Sequence, residues 1–276
     1  MVFISTDGMD AAEALRSSPP ATWWIAFVTG LCTVVGVTCK MIDTDRGETR
    51  LRASNAFAAG YSMLMFLLSF QWLVLDLGGG TLPGVRAALV SRPWVDLVDG
   101  ASQGQQICVY MLAYMAQDMV VRCLFWELDL RYILHHLACL GGLGLVLFAG
   151  LHPVYCVALS VSEFSTPIVC LFEIAQAELG SMKKYIMPCG ILLNLCFPVR
   201  VAWFTWVFYL VAFEYRKHSF YQLSIENCGF LCTGLLVLVN WSWYFDLLVG
   251  SVRTLLEDSS PAEVDTAPDP SLKKAQ

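Results

Sequence analysis

The chain has 276 residues, 57% of them hydrophobic and only 14% charged, with a mean hydropathy of +0.60 and a formal net charge of -6. A soluble domain devotes about a quarter of its residues to charge, so this balance excludes a soluble globular protein and points to an all-α polytopic membrane protein. No basic stripe is present, which argues against a nucleic-acid partner.

In chain order, residues 1–21 come first, and "MVFISTDGMDAAEALRSSPP" is acidic and lacks a basic n-region. It does not read as a cleaved signal peptide, so the first apolar helix is expected to be an uncleaved anchor. A membrane helix needs about 20 mostly apolar residues. Seven segments qualify: 22–41, 54–77, 105–125, 133–150, 153–175, 185–213 and 226–250. The first is followed by a basic loop to residue 49. "GGGTLPGVR" and "SRPW" mark a longer connection between the second and third spans. The sixth is long enough to tilt or to run past the bilayer. Residues 253–276 are polar, acidic and rich in proline, and are expected to be disordered.

Lys and Arg in short loops set orientation. The N-terminal side carries five: Arg16, Arg86, Arg92, Arg216 and Lys217. The other side carries ten: Lys40, Arg46, Arg50, Arg52, Arg131, Lys183, Lys184, Arg253, Lys273 and Lys274. The C-terminus is therefore expected in the cytosol and the N-terminus in the lumen or outside. The chain ends "KKAQ", with lysines at the third and fourth positions from the end. On a cytosolic tail this resembles the dilysine retrieval signal of the endoplasmic reticulum, an address rather than an anchor.

Eleven cysteines lie mostly in or beside apolar runs, odd in number and without paired spacing. They read as small core hydrophobes rather than a disulfide framework. Ionisable groups inside a bilayer are costly and suggest function by default. Asp118 and Arg122 stand four residues apart on one helix face and can pair. His135 and His136 open the fourth span, their side chains about 100° apart around the helix. Glu163 lies mid-span five, four residues before Pro167, which cannot donate to the carbonyl of Glu163. A kink that leaves that carbonyl free is expected there, among the hydroxyls of Ser160, Ser162, Ser165 and Thr166. Arg200 lies in span six, free to snorkel or to pair with Asp118 or Glu163, and Asp246 in span seven.

"AYMAQD", "LHHL", "SEFSTP", "FPVRVAWF" and "NWSWYFDLL" occur in order over residues 50–252 and resemble the TLC domain. That domain is shared by ceramide synthases, translocation-associated membrane proteins and several small TLC-domain proteins. The resemblance implies six helices in a barrel-like bundle around a lipid-sized cavity, with one further N-terminal helix outside it. In ceramide synthases the cavity holds an acyl chain, and a histidine pair with two aspartates transfers it from acyl-CoA to a long-chain base. His135 and His136 match that pair. Glu163 falls near the first aspartate and Thr166 at the second, so "S-E-F-S-T" replaces "H-D-x-x-D". The threonine and serine-tyrosine that follow the synthase histidines are missing as well. The chain resembles the small TLC-domain proteins more closely.

Two functions follow from the resemblance. The first is lipid homeostasis: binding, sensing or adjusting membrane lipids. The second is N-acyl transfer, with His135 and His136 carrying the chemistry, Glu163 holding an imidazole, and Asp118, Arg122, Thr166, Arg200 and Asp246 as supporting polar groups. No cofactor is expected, acyl-CoA being a co-substrate in the second case. Membrane lipids are the expected partners, with acyl-CoA and a long-chain base in the enzymatic reading, and the sequence is compatible with a homo-oligomer. A catalytic metal of the desaturase type needs many histidines, and the chain has four. A G-protein-coupled receptor would show a D-R-Y turn after span three and an N-P-x-x-Y turn in span seven, and both are missing. Internal repeats of the transporter kind are not evident.

Overall fold

A computed structural model describes residues 19–45, 52–91, 101–125, 129–149, 153–179, 183–215 and 225–259. The N-terminal segment before residue 19 and the terminal "KKAQ" lie outside the described residues. In hydrocarbon every backbone N–H and C=O must be bonded within its own segment, and the apolar runs accordingly fold as helices. They are α1 (Pro19–Asp45), α2 (Arg52–Phe70), α3 (Leu82–Ser91), α4 (Ala101–Leu124), α5 (Leu130–Ala149), α6 (Val154–Ser160), α7 (Thr166–Leu179), α8 (Lys183–Tyr209) and α9 (Ile225–Ser259). Seven stretches are long and apolar enough to cross a membrane, and they coincide with the seven expected spans. The fifth is composite, α6 and α7 joined by a 3₁₀ turn, Val161–Ser165.

α1 packs against α4 and α2. The other spans neighbour one another in a circuit: α2 beside α7, α7 beside α8, α8 beside α9, α9 beside α5, α5 beside α4, and α4 again beside α2. Met65, Leu73, Leu89, Val146, Val154, Val157 and Val207 are fully buried between them. Phe27, Val34, Leu67, Leu195, Leu238 and Val249 are exposed on the outer faces. Outward apolar side chains are what a helix bundle shows to lipid.

Local chemistry fixes the ends. Asp43, near the end of α1, accepts the backbone N–H of Ala53 at 2.9 Å and of Ser54 at 3.0 Å, and the Ser54 hydroxyl at 2.8 Å. Free N–H groups at the start of a helix need such acceptors, so α1 caps α2. α2 runs into a π-helical turn over Gln71–Leu77. The chain then reverses at Gly79 and Gly80, whose φ of 56° and 73° suit glycine. The connection after it contains α3, a helix where "GGGTLPGVR", with Pro83 and Gly84, predicts an irregular linker.

Candidate functional site

The histidine pair sits at the head of α5, and the two rings have different surroundings. His136 is buried. Its Nδ1 lies 2.9 Å from the carbonyl oxygen of Tyr132 and its Nε2 lies 2.9 Å from the Asp118 carboxylate. Arg122 Nε donates to the same carboxylate oxygen at 3.0 Å. The Arg122 guanidinium lies 3.5 Å over the Tyr132 ring, which stacks on His136 with centroids 4.8 Å apart. So His136 is held at both nitrogens and on one face.

His135 is also buried, but more loosely bonded. Its Nε2 lies 3.7 Å from Cys139 Sγ, one turn further along α5. Its Nδ1 is buried and has no hydrogen-bond partner. Trp243 packs against the ring with centroids 5.2 Å apart. A buried polar atom without a partner costs about 1–3 kcal/mol, and such atoms in native structures call for an explanation.

The second polar centre lies around the 3₁₀ turn. Tightening the helix there lets the N–H of Thr166 bond Glu163 O, three residues back. The Glu163 carbonyl that Pro167 cannot serve is thereby satisfied. The Ser162 carbonyl receives the Ser165 hydroxyl at 3.1 Å and Arg200 at 3.3 Å. Buried Arg200 also donates to Ser165 Oγ at 3.1 Å, Thr166 Oγ1 at 3.2 Å and Asn240 Oδ1 at 2.8 Å. Its remaining nitrogen lies 3.6 Å from Glu163 Oε1, while Glu163 Oε2 accepts the Thr166 hydroxyl at 2.6 Å. Of the two partners expected for Arg200, Glu163 is the one it faces.

The site therefore differs from the expected arrangement in two respects. The carboxylate on an imidazole is Asp118, from the helix before the histidines. Glu163 engages Arg200 and Thr166, and no hydrogen bond joins it to either histidine. Asp246 is exposed at the end of the bundle, bonded to Arg131, which also donates to Ser242 at 3.2 Å. It lies apart from the histidines' hydrogen-bond network.

His135 and Glu163 do share a pocket, of about 80 Å³. They form its polar end together with Ser160. Most of the rest of the wall is Ala138, Cys139, Gly142 and Leu143 from α5, Tyr155, Cys156 and Leu159 from α6, Phe204 from α8, and Phe230, Cys232, Thr233 and Leu236 from α9. The pocket is thus an apolar slot with a polar head. Its volume is below the ~150 Å³ of an engineered apolar cavity that takes up benzene, smaller than the lipid-sized cavity that the resemblance implies. Among the described residues no three His, Cys, Asp or Glu side chains are grouped to hold a metal.

A family model of the TLC domain matches residues 51–249. The chain belongs to the TLC-domain family. The matched region begins one residue before α2 and covers the six spans of the circuit, leaving α1 outside. No curated protein and no solved structure matches the chain.

Sequence reading missed three members of this TLC-domain site. Asn240, fully buried, was readable as an amide inside a span, in "VNWSW". Cys139 stands four residues after His135, a spacing that places the pair on one face. The Tyr132 carbonyl carries no sequence signal, since any residue supplies one.

Proposed function

We propose that this TLC-domain protein acts in membrane-lipid homeostasis, by holding a single lipid chain in the slot between α5, α6 and α9. One observation carries the reading: a mostly apolar pocket inside a membrane bundle, with His135 and Glu163 in its lining. Apolar walls reward burial of methylenes at about 0.8 kcal/mol each. The polar end fixes which way the chain enters. The endoplasmic reticulum is the proposed membrane, with the tail in the cytosol.

N-acyl transfer from acyl-CoA to a long-chain base is the second reading. The placement of His135 in the pocket wall favours it, because a reacting group must be within reach of substrate. His136, braced by Asp118, would orient the pair.

Two measurements test these readings. A photoactivatable fatty-acyl probe in membranes should crosslink to α5, α6 and α9, and replacing Gly142 with Leu should reduce that crosslinking. Crosslinks only to outer faces would overturn the slot. Microsomes lacking endogenous ceramide synthase separate the second reading. N-acyl product lost in His135→Ala/His136→Ala would establish the enzyme, and none from folded wild type would leave the homeostatic role. Lipid profiles of a deletion strain would then name the lipid.

A further inference from the structure

At about 80 Å³, below the ~150 Å³ of a cavity that takes up benzene, the slot is too small for a long hydrocarbon chain. Room for one has to come from a wall that can move. The lining runs from the polar residues toward the end of the bundle away from the histidines: His135 to Leu143 on α5, Glu163 back to Tyr155 in the fifth span, Phe204 to Val211 in the sixth. Tyr155, the second residue of α6, stands at that far end.

Behind Tyr155 lies α3. The Tyr155 hydroxyl donates to the Leu89 carbonyl oxygen at 2.7 Å. Leu89 belongs to the last turn of α3, whose carbonyls have no partner within the helix, so a side chain of the slot wall caps that helix end. Val85 and Leu89 are fully buried, in one apolar cluster with Met111, Leu143 and Tyr155 of the wall. α3 also packs on the π-helical turn Leu210–Tyr215, which carries Val211.

The other walls are membrane spans, but α3 has ten residues and is too short to cross a bilayer. It joins α2 through the turn at Gly79 and Gly80, both at positive φ. A few turn residues are enough to make a hinge.

We propose that Tyr155 is the stop that limits the length of chain in the slot, and that α3 is the lid it latches. This rests on the reading that the slot holds a lipid chain. A short chain ends before Tyr155 and leaves the latch closed. A longer one displaces the phenol ring, breaks its bond to Leu89 O and lifts α3 about the Gly79–Gly80 turn. Long chains fit the open form alone, so they shift the population toward it. The apolar face of Val85 and Leu89 then meets the end of the chain.

Val85→Cys places a thiol beneath the lid. The full-length variant in lipid nanodiscs would be treated with a water-soluble maleimide, and the label at position 85 quantified by mass spectrometry. A very-long-chain photoactivatable fatty acid should speed that labelling several-fold, and a medium-chain one should leave it unchanged. Adding Tyr155→Phe should speed it about fivefold with no fatty acid present, the scale of one lost hydrogen bond. The same substitution should raise the ratio of very-long-chain to medium-chain crosslinks in the slot, a readout that mere loosening of α3 would not move. Tyr61→Phe loses a comparable tyrosine–carbonyl bond of 2.8 Å to Tyr110, outside the slot, and should change neither. Labelling that ignores chain length, or an unchanged crosslink ratio in Tyr155→Phe, would overturn the proposal. Crosslinks in the slot with no change at position 85 would sink only the lid and its stop. No crosslinks in the slot with either fatty acid would sink the chain-binding reading as well.

Discussion

Arg200 reaches five neighbours, Asn240, Ser162, Ser165, Thr166 and Glu163, with its side chain almost wholly buried. A buried pair that loses one member leaves an uncompensated charge, at about 3–5 kcal/mol. Arg200→Leu should cost that much, measured by denaturant unfolding in detergent micelles. Glu163→Gln keeps an acceptor for the Thr166 hydroxyl and should cost about 1–3 kcal/mol. The histidines should separate in the same assay. His136→Ala and Asp118→Ala each break a 2.9 Å contact and should each destabilise by about 1–3 kcal/mol. The double mutant should fall short of their sum by at least about 0.5 kcal/mol, since the two residues share one interaction. His135→Leu should be nearly neutral, within about 1 kcal/mol, because it removes a buried nitrogen that has no partner. A nearly neutral change at His135 would mean that its ring contributes little to stability, and equal losses at both histidines would remove that distinction.

The elements explain why the polar centres lie where they do. Pro167 was legible as a break in the fifth span, but the Glu163 carbonyl expected to be left free accepts the Thr166 N–H instead. Sequence alone did not show that the chain would tighten into a 3₁₀ turn at Val161–Ser165 and turn Ser162 O toward Arg200. That outcome depends on α8 lying alongside, which is a tertiary fact. The same holds for Asp118. Its pairing with Arg122 followed from the four-residue spacing, but its contact with His136 needs α4 against α5. The seam between α1 and α4 rests on Gly36, where a Cβ would fall 2.1 Å from Nε2 of buried Gln117. Gly30 lies on the same helix, and a Cβ there would meet nothing within 4 Å. Gly36→Leu should therefore overpack the seam at about 1–3 kcal/mol, lowering the melting temperature in detergent. Gly30→Leu should leave it unchanged or raise it slightly, as glycine disfavours helix interiors by about 1 kcal/mol. Equal melting temperatures for the two variants would mean that α1 does not pack tightly on α4.

At the scale of the molecule, the number and order of spans were legible because length and hydropathy alone dictate them in a bilayer. The circuit of neighbours was not, since hydropathy does not say which helix touches which. Orientation is the remaining whole-molecule property, and it rests on charge. Lys40 ends up buried near the end of α1, 5.8 Å from the Phe125 ring centroid at the end of α4. Arg131 and Asp246 pair at the start of α5 and late in α9. These groups mark the end of the bundle at which α1 and α4 finish and α5 begins. If this end is cytosolic, His135 and His136 lie within two turns of the compartment that supplies acyl thioesters. Glycosylation acceptors tell the sides apart, because Asn-X-Ser is modified only in the lumen. One placed before residue 15 should be glycosylated, and one placed between residues 260 and 268 should not. Lys273→Ala/Lys274→Ala should then shift the protein out of the endoplasmic reticulum, read as maturation of the N-terminal glycan to an endoglycosidase-resistant form. The reverse glycosylation pattern would put the histidine pair on the lumenal side, beyond reach of cytosolic acyl thioesters, and N-acyl transfer there would have no donor.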